Sequence, residues 1–173
     1  VEPDIMCVAK GLAGGYIPLS ATLIAGPVAE GVLERQPAYL TGHTFTGHTA
    51  ACAAGLAVQR IIERDGLLER VRSAGATLQS SLRDALARFD EVGDIRGRGY
   101  FIGIELVRDQ ATKEKAHGMR DRVVELAFRR GLLILGAGDS VLRLCPPLVI
   151  TRDQGDFALD TLEACLQQVI AEA

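Results

Sequence analysis

Apolar positions along the chain fall into short continuous runs that alternate with helical stripes. Ile5 to Ala9 is an unbroken apolar run, the pattern of a buried strand. It stops at Lys10 and gives way to the small-residue stretch GLAGG. Leu19 to Gly26 predicts a second strand, and Pro27 suits the first turn of a short helix through Leu33. Gln36 to Gly42 is expected as loop. From about Gly47 to Arg64 a helix is predicted, rich in Ala, whose small side chains let it approach its neighbours closely. Asp65-Gly66 breaks that pattern.

Longer periods follow. Val71, Leu78, Leu82, Leu86 and Phe89 share one face of a long amphipathic helix. EVGDIRGRGYFIGIELVRD predicts two strands around a Gly-rich bend at Arg96 to Gly99, with strand alternation from Tyr100 to Val107. Met119, Val123, Leu126 and Ala127 mark another helix, stopped by Gly131 behind Arg129 and Arg130. LLIL and VLRL predict two short strands split by GAGDS. The last helix begins at Thr151, where TRDQ offers a capping box: Thr151 at the cap and Gln154 reaching back. Phe157, Leu162, Cys165 and Val169 give its buried stripe. Strands alternating with helices predict an α/β fold, with a seam near Asp65-Gly66.

Composition refines this picture. Hydrophobic residues make up 48% of the chain but aromatics only 5%, with no Trp, so the core must be aliphatic. A net charge of −3 gives no basic footprint for nucleic acid. No apolar run approaches the roughly 20 residues that cross a bilayer, so no membrane partner is expected. Cys7, Cys52, Cys145 and Cys165 form no C-x-x-C pair and lie in apolar or small-residue stretches; they predict buried free thiols in a reducing, cytoplasmic compartment. His43, His48 and His117 have no metal-ligand spacing, and no metal is expected. The chain opens at Val1, close to a strand and without a leader, and is expected to be part of a longer protein.

Three residues are candidates for chemistry. Lys10 directly follows a strand expected to be buried. An amine partly withdrawn from water is a better nucleophile toward an aldehyde, and the glycines at 11, 14 and 15 let the backbone turn tightly beside a ligand. A surface lysine at a strand end fits the same residues. Arg143 has apolar neighbours on both sides and, on a strand, points with Val141 and Cys145 away from Leu142 and Leu144. It suits either a structural ion pair or a fork for a substrate carboxylate. Thr44 lies in the hydroxyl-rich stretch TGHTFTGH before the Ala-rich helix, where a phosphate could sit; simple N-capping by one of these threonines is the other reading. GLAGG is not a Walker A loop, because the glycines follow the Lys. RGRGYFIG leads into a strand and so lacks the strand–turn–helix order of a dinucleotide fingerprint.

PDIMCVAKGLAGGYIPLSA resembles the Schiff-base lysine segment of the class III aminotransferases, the ornithine and 4-aminobutyrate group. GHTFTGHTAACAAGLAV, GDIRGRGYFIGIEL and VLRLCPPLVIT resemble three further segments of that family, in the same order and at similar spacing. The resemblance covers essentially the whole chain. It implies an α/β fold, the C-terminal portion of a fold-type-I enzyme dependent on pyridoxal 5'-phosphate (PLP). Residues 1–65 would end the large PLP-binding domain and 66–173 would form a small C-terminal α+β domain. By the same resemblance Lys10 is catalytic and holds the cofactor as a Schiff base. Thr44 binds its phosphate, usually from the neighbouring subunit of a dimer, and Arg143 pairs with the substrate carboxylate. The implied reaction is transamination between an amino acid or ω-amino acid of 4-aminobutyrate type and a keto acid, in a homodimer or dimer of dimers with shared active sites. A racemase, aminomutase or decarboxylase on the same scaffold, or a non-catalytic truncated remnant, are the alternatives. One departure is His48-Thr49, where the family often has Asn-Pro or His-Pro. The acidic residue against the pyridine nitrogen, the stacked aromatic and the Gly/Ser/Thr phosphate loop of the family lie upstream of its lysine and map to nothing in this sequence.

Overall fold

The computed structural model describes residues 2–36 and 42–172. The chain divides into two compact units, Val1–Gly66 and Leu67–Ala173. Positions 37–41 of the loop expected at 36–42 lie outside the described residues.

In the first unit, strand β1 (Ile5–Val8) pairs antiparallel with β2 (Ala21–Ile24), Ile5 opposite Ile24 and Val8 opposite Ala21. A 3-10 turn over Lys10–Ala13 follows β1. Helix α1 (Gly26–Arg35) carries Pro27 in its first turn, as its fixed φ predicts. Helix α2 (Thr49–Arg64) turns its small residues Ala51 and Gly55 inward, while Ala13 of the 3-10 turn is fully buried. The expectation of a buried first strand is corrected: β1 is exposed at Ile5, Met6 and Cys7, and β2 is exposed throughout. Two strands paired only with each other form a ribbon too narrow to shield its own side chains.

The second unit runs α3 (Leu67–Leu86), β3 (Val92–Arg98), β4 (Phe101–Leu106), α4 (His117–Arg129), β5 (Leu135–Ala137), β6 (Val141–Leu144) and α5 (Arg152–Glu172). Its four strands form one antiparallel sheet in the order β3-β4-β6-β5. Strand alternation sends Ile95, Ile102, Ile104, Leu106, Leu142 and Leu144 into a core completed by Leu82 and Leu86 of α3, Val123 of α4, and Leu162, Cys165 and Leu166 of α5. The core is almost wholly aliphatic, as the composition demanded. Each fully buried Leu or Ile side chain contributes about 1.5–3 kcal/mol of transfer free energy.

The helix ends follow local chemistry. Thr151 N–H donates to Gln154 Oε1 at 3.0 Å and Gln154 N–H donates to Thr151 Oγ1 at 3.3 Å, the reciprocal box expected at the start of α5. At the end of α4, Gly131 takes φ +84°. Its N–H reaches the Phe128 carbonyl at 3.0 Å and Leu132 N–H reaches that of Ala127 at 2.9 Å, a Schellman closure. That closure corrects one strand. LLIL was expected as β5, but Leu132 is spent in capping α4, so pairing begins only at Leu135.

Phe157 is also corrected: it is exposed. It lies five residues before Leu162, about 140° round the helix, whereas Leu159 packs on the core side with Leu162, Leu166 and Val169. Of the four cysteines only Cys165 is buried; Cys7, Cys52 and Cys145 are free and exposed, against the expectation of burial. Cys7 sits on the open ribbon, and Cys52 lies beside the inward-facing Ala51 rather than on its face.

Candidate active site

Lys10 occupies an abrupt break in the backbone. Ala9 before it is fully extended, with φ −159° and ψ −164°, and Lys10 then adopts φ +54°. Residues with a side chain seldom take left-handed φ, and they concentrate at functional sites. Among the described residues only Lys10 and Lys113 do so outside glycine. Lys113 has a local explanation. It closes a turn in which Asp109 Oδ1 accepts the Thr112 N–H at 2.6 Å, and its own amine is tied to the Gly93 carbonyl and Gln110 Oε1. Lys10 has neither: its side chain is exposed, and no hydrogen bond or ion pair to its amine is seen among the described residues. The expected partial burial of Lys10 is therefore not met within this chain, for the same reason that β1 is open. The turn after it closes through Gly14 and Gly15, at φ +62° and +78°.

Thr44 stands in the turn 44–47 before α2 and is exposed. The capping alternative is answered by another residue: His48 Nδ1 accepts the Ala51 N–H at 3.3 Å and caps α2. Thr46 Oγ1 accepts the His43 N–H at 2.9 Å. Among the described residues the Thr44 hydroxyl has no such duty.

Arg143 belongs to the second unit. It lies on the interior strand β6, opposite Gly103 of β4 and Leu135 of β5. Leu142 and Leu144 point into the core, so Arg143 rises from the outer face, half-buried. The structural ion pair weighed above is not formed among the described residues, and the neighbouring chemistry shows why. The outer-face carboxylates Asp94 and Glu105 both bind Arg96 Nη1, at 2.8 and 2.6 Å. These carboxylates, Asp94 foremost, hold the Arg96 guanidinium more firmly protonated than usual. Gly103 adds no side chain beside Arg143. Among the described residues Arg143 thus keeps its planar fork of donors unengaged, a shape that suits a carboxylate. The role of Arg96 in clearing this face was not evident from sequence, because Asp94 and Glu105 meet it only through strand register.

Among the described residues the Lys10 amine, the Thr44 hydroxyl and the Arg143 guanidinium have no hydrogen-bond partner; by type, an amine suits an aldehyde, a hydroxyl a phosphate and a guanidinium a carboxylate. Among the described residues no cluster of His, Cys, Asp or Glu could hold a metal, and no helix is long and apolar enough to cross a membrane.

The chain is similar to known proteins along nearly its whole length. An adenosylmethionine-8-amino-7-oxononanoate aminotransferase of Methanocaldococcus jannaschii is 36% identical over 96% of this chain and 37% of its own length. A leucine/methionine racemase of Thermococcus litoralis is 36% identical over 98% of this chain and 37% of its own. An amine transaminase from an uncultivated Pseudomonas species, solved in a PLP-bound form, superposes with a TM-score of 0.90 at 37% identity, covering 96% of this chain and 39% of that one. The chain therefore spans less than two fifths of the length of these relatives. Enzymes of the class III aminotransferase family depend on PLP. The family model, described as aminotransferase class-III, matches residues 1–166, and the chain belongs to that family.

Proposed function

We propose that this chain is part of a PLP-dependent aminotransferase that moves an amino group between an amino acid or ω-amino acid, of 4-aminobutyrate type, and a keto acid. On this reading residues 1–65 end the large cofactor domain and 66–173 form the small domain. The enzyme would be cytoplasmic, which its exposed free thiols support. Two copies would share their sites, with Thr44 reaching the cofactor phosphate of the neighbouring subunit.

The observation that carries the reading is Lys10: a solitary amine on a left-handed lysine, at the position the family motif marks for the cofactor. When bound, PLP supplies an aldehyde for covalent attachment and a ring that takes up electrons from the substrate. Lys10 Nζ would hold the cofactor through that aldehyde. As a free amine, its Nζ would take the proton from the substrate carbon that bears the amino group. Arg143 would grip the substrate carboxylate in two parallel hydrogen bonds and set the angle at which the C–H bond meets the ring.

Borohydride trapping of PLP on the full-length protein, followed by peptide mapping, tests this. The label is expected on Lys10, and Lys10→Ala is expected to lose both label and transamination. A label on Lys113 or Lys115 instead would end the proposal. A racemase is the second reading, favoured by the Thermococcus litoralis relative. Retention of the substrate nitrogen with loss of chirality would identify it.

A further inference from the structure

Helix α2 touches the turn that follows Lys10 through one face. Gly55 is buried there; a Cβ on it would lie 2.5 Å from Leu19 Cδ2 and 3.7 Å from the Leu12 carbonyl oxygen. Val58 lies against the turn's closing glycine: a Cβ on Gly14 would be 3.2 Å from Val58 Cγ2. One helical turn beyond Gly55, Gln59 Nε2 donates to the same Leu12 carbonyl at 3.2 Å. Leu12 stands two residues after Lys10, in the middle of the 3-10 turn that Lys10 begins.

The device occurs twice. In α3, Gly75 packs against the backbone of Gly99, and Gln79 Nε2 donates to the Gly99 carbonyl at 3.1 Å. Both helices use Gly-x-x-x-Gln to dock on a loop: the glycine keeps the helix surface low, against the Leu19 side chain in α2 and the Gly99 backbone in α3, and the glutamine donates to a loop carbonyl. In α3 the loop is a hairpin turn. In α2 it is the turn that carries Lys10.

We infer that Gln59, with Gly55 beside it, is a positioning residue for Lys10. It fixes the 3-10 turn through Leu12, and so fixes the direction from which Lys10 Nζ meets an aldehyde. The left-handed backbone at Lys10 needs such a clamp, because a lysine released from tertiary contacts relaxes to negative φ. This inference rests on the proposed cofactor role of Lys10.

The test uses the cofactor-free full-length protein, as wild type, Gln59→Leu and Gln59→Lys. PLP is added, the adduct is trapped with borohydride, and the rate of labelling at Lys10 is followed by peptide mass. Loss of one neutral hydrogen bond predicts about a three- to tenfold slower labelling in Gln59→Leu. Amide exchange at Leu12 and Ala13 should quicken, while Gln59→Lys, which keeps a donor, should recover most of the rate. A Gln59→Leu protein with the wild-type rate would overturn the inference. So would a slower rate that Gln59→Lys fails to restore, which marks a merely structural role. Wild-type label at Lys10 with an unaltered Gln59→Leu defeats this inference alone. Wild-type label on another lysine defeats the cofactor role of Lys10 and this inference with it.

Discussion

Gly75 of α3 and Gly99 of the β3–β4 turn meet backbone to backbone: a Cβ on Gly75 would lie 2.6 Å from the Gly99 carbonyl carbon. Gly99 is itself left-handed at φ +57°, as a two-residue hairpin loop with glycine first requires, and its own Cβ would collide with Val71 at 2.7 Å. Helix and hairpin are therefore locked at a separation that only glycine allows. Gly75→Ala should cost about 1–3 kcal/mol through overpacking, despite the better helix propensity of alanine. Urea unfolding followed by circular dichroism measures it; an unchanged midpoint would mean that the hairpin yields freely.

Arg143 should discriminate substrates by charge. Removing a charge-assisted fork in Arg143→Leu should lower kcat/KM for amino or keto acids by about ten- to a hundredfold, and leave amines without a carboxylate nearly unaffected. Steady-state kinetics with a matched pair, one acid and one simple amine, checks this. Equal loss on both would make Arg143 a structural residue.

Cys165 should be silent in the native state. Burial pushes its thiol above the ordinary range, an effect that nearby Arg130 only partly offsets. The unfolded chain gives up that proton at lower pH than the folded chain does. The associated stability is fully present below the unfolded thiol range and shrinks as pH rises through and beyond it. A thiol reagent at neutral pH should spare Cys165 until denaturant is added. Stability measured at rising alkaline pH should fall less steeply in Cys165→Ala than in wild type.

Much of the second unit is legible in the sequence because its signals are local. Thr151 and Gln154 lie within one helical turn, so the capping box can be read directly. Gly131 announces its cap, and alternation alone separates Arg143 from Leu142 and Leu144. Misreadings arise where the deciding partner is distant or several residues compete. The LLIL strand loses Leu132 to a cap. His48 takes the role offered to three threonines. Lys10 and β1 are exposed because burial of a strand depends on layers that an apolar run cannot specify. The clamp on the Lys10 turn is invisible in sequence, since Gln59 and Leu12 are 47 residues apart.

The two docking glycines have a practical consequence for anyone making the protein more robust. Alanine in place of a helical glycine ordinarily strengthens an exposed helix by about 0.5–1 kcal/mol. Among the described residues nothing lies within 4 Å of a Cβ on Gly31 in α1 or Gly118 in α4, and alanine there should bring that gain. Gly75 has no room, since its Cβ would meet the Gly99 backbone and prise α3 off the hairpin, whereas at Gly55 the close atom is the end of the Leu19 side chain, which has to swing aside. A consensus or propensity-driven redesign that treated all four alike would harden α1 and α4, push Leu19 aside under α2, and lift α3 from its hairpin.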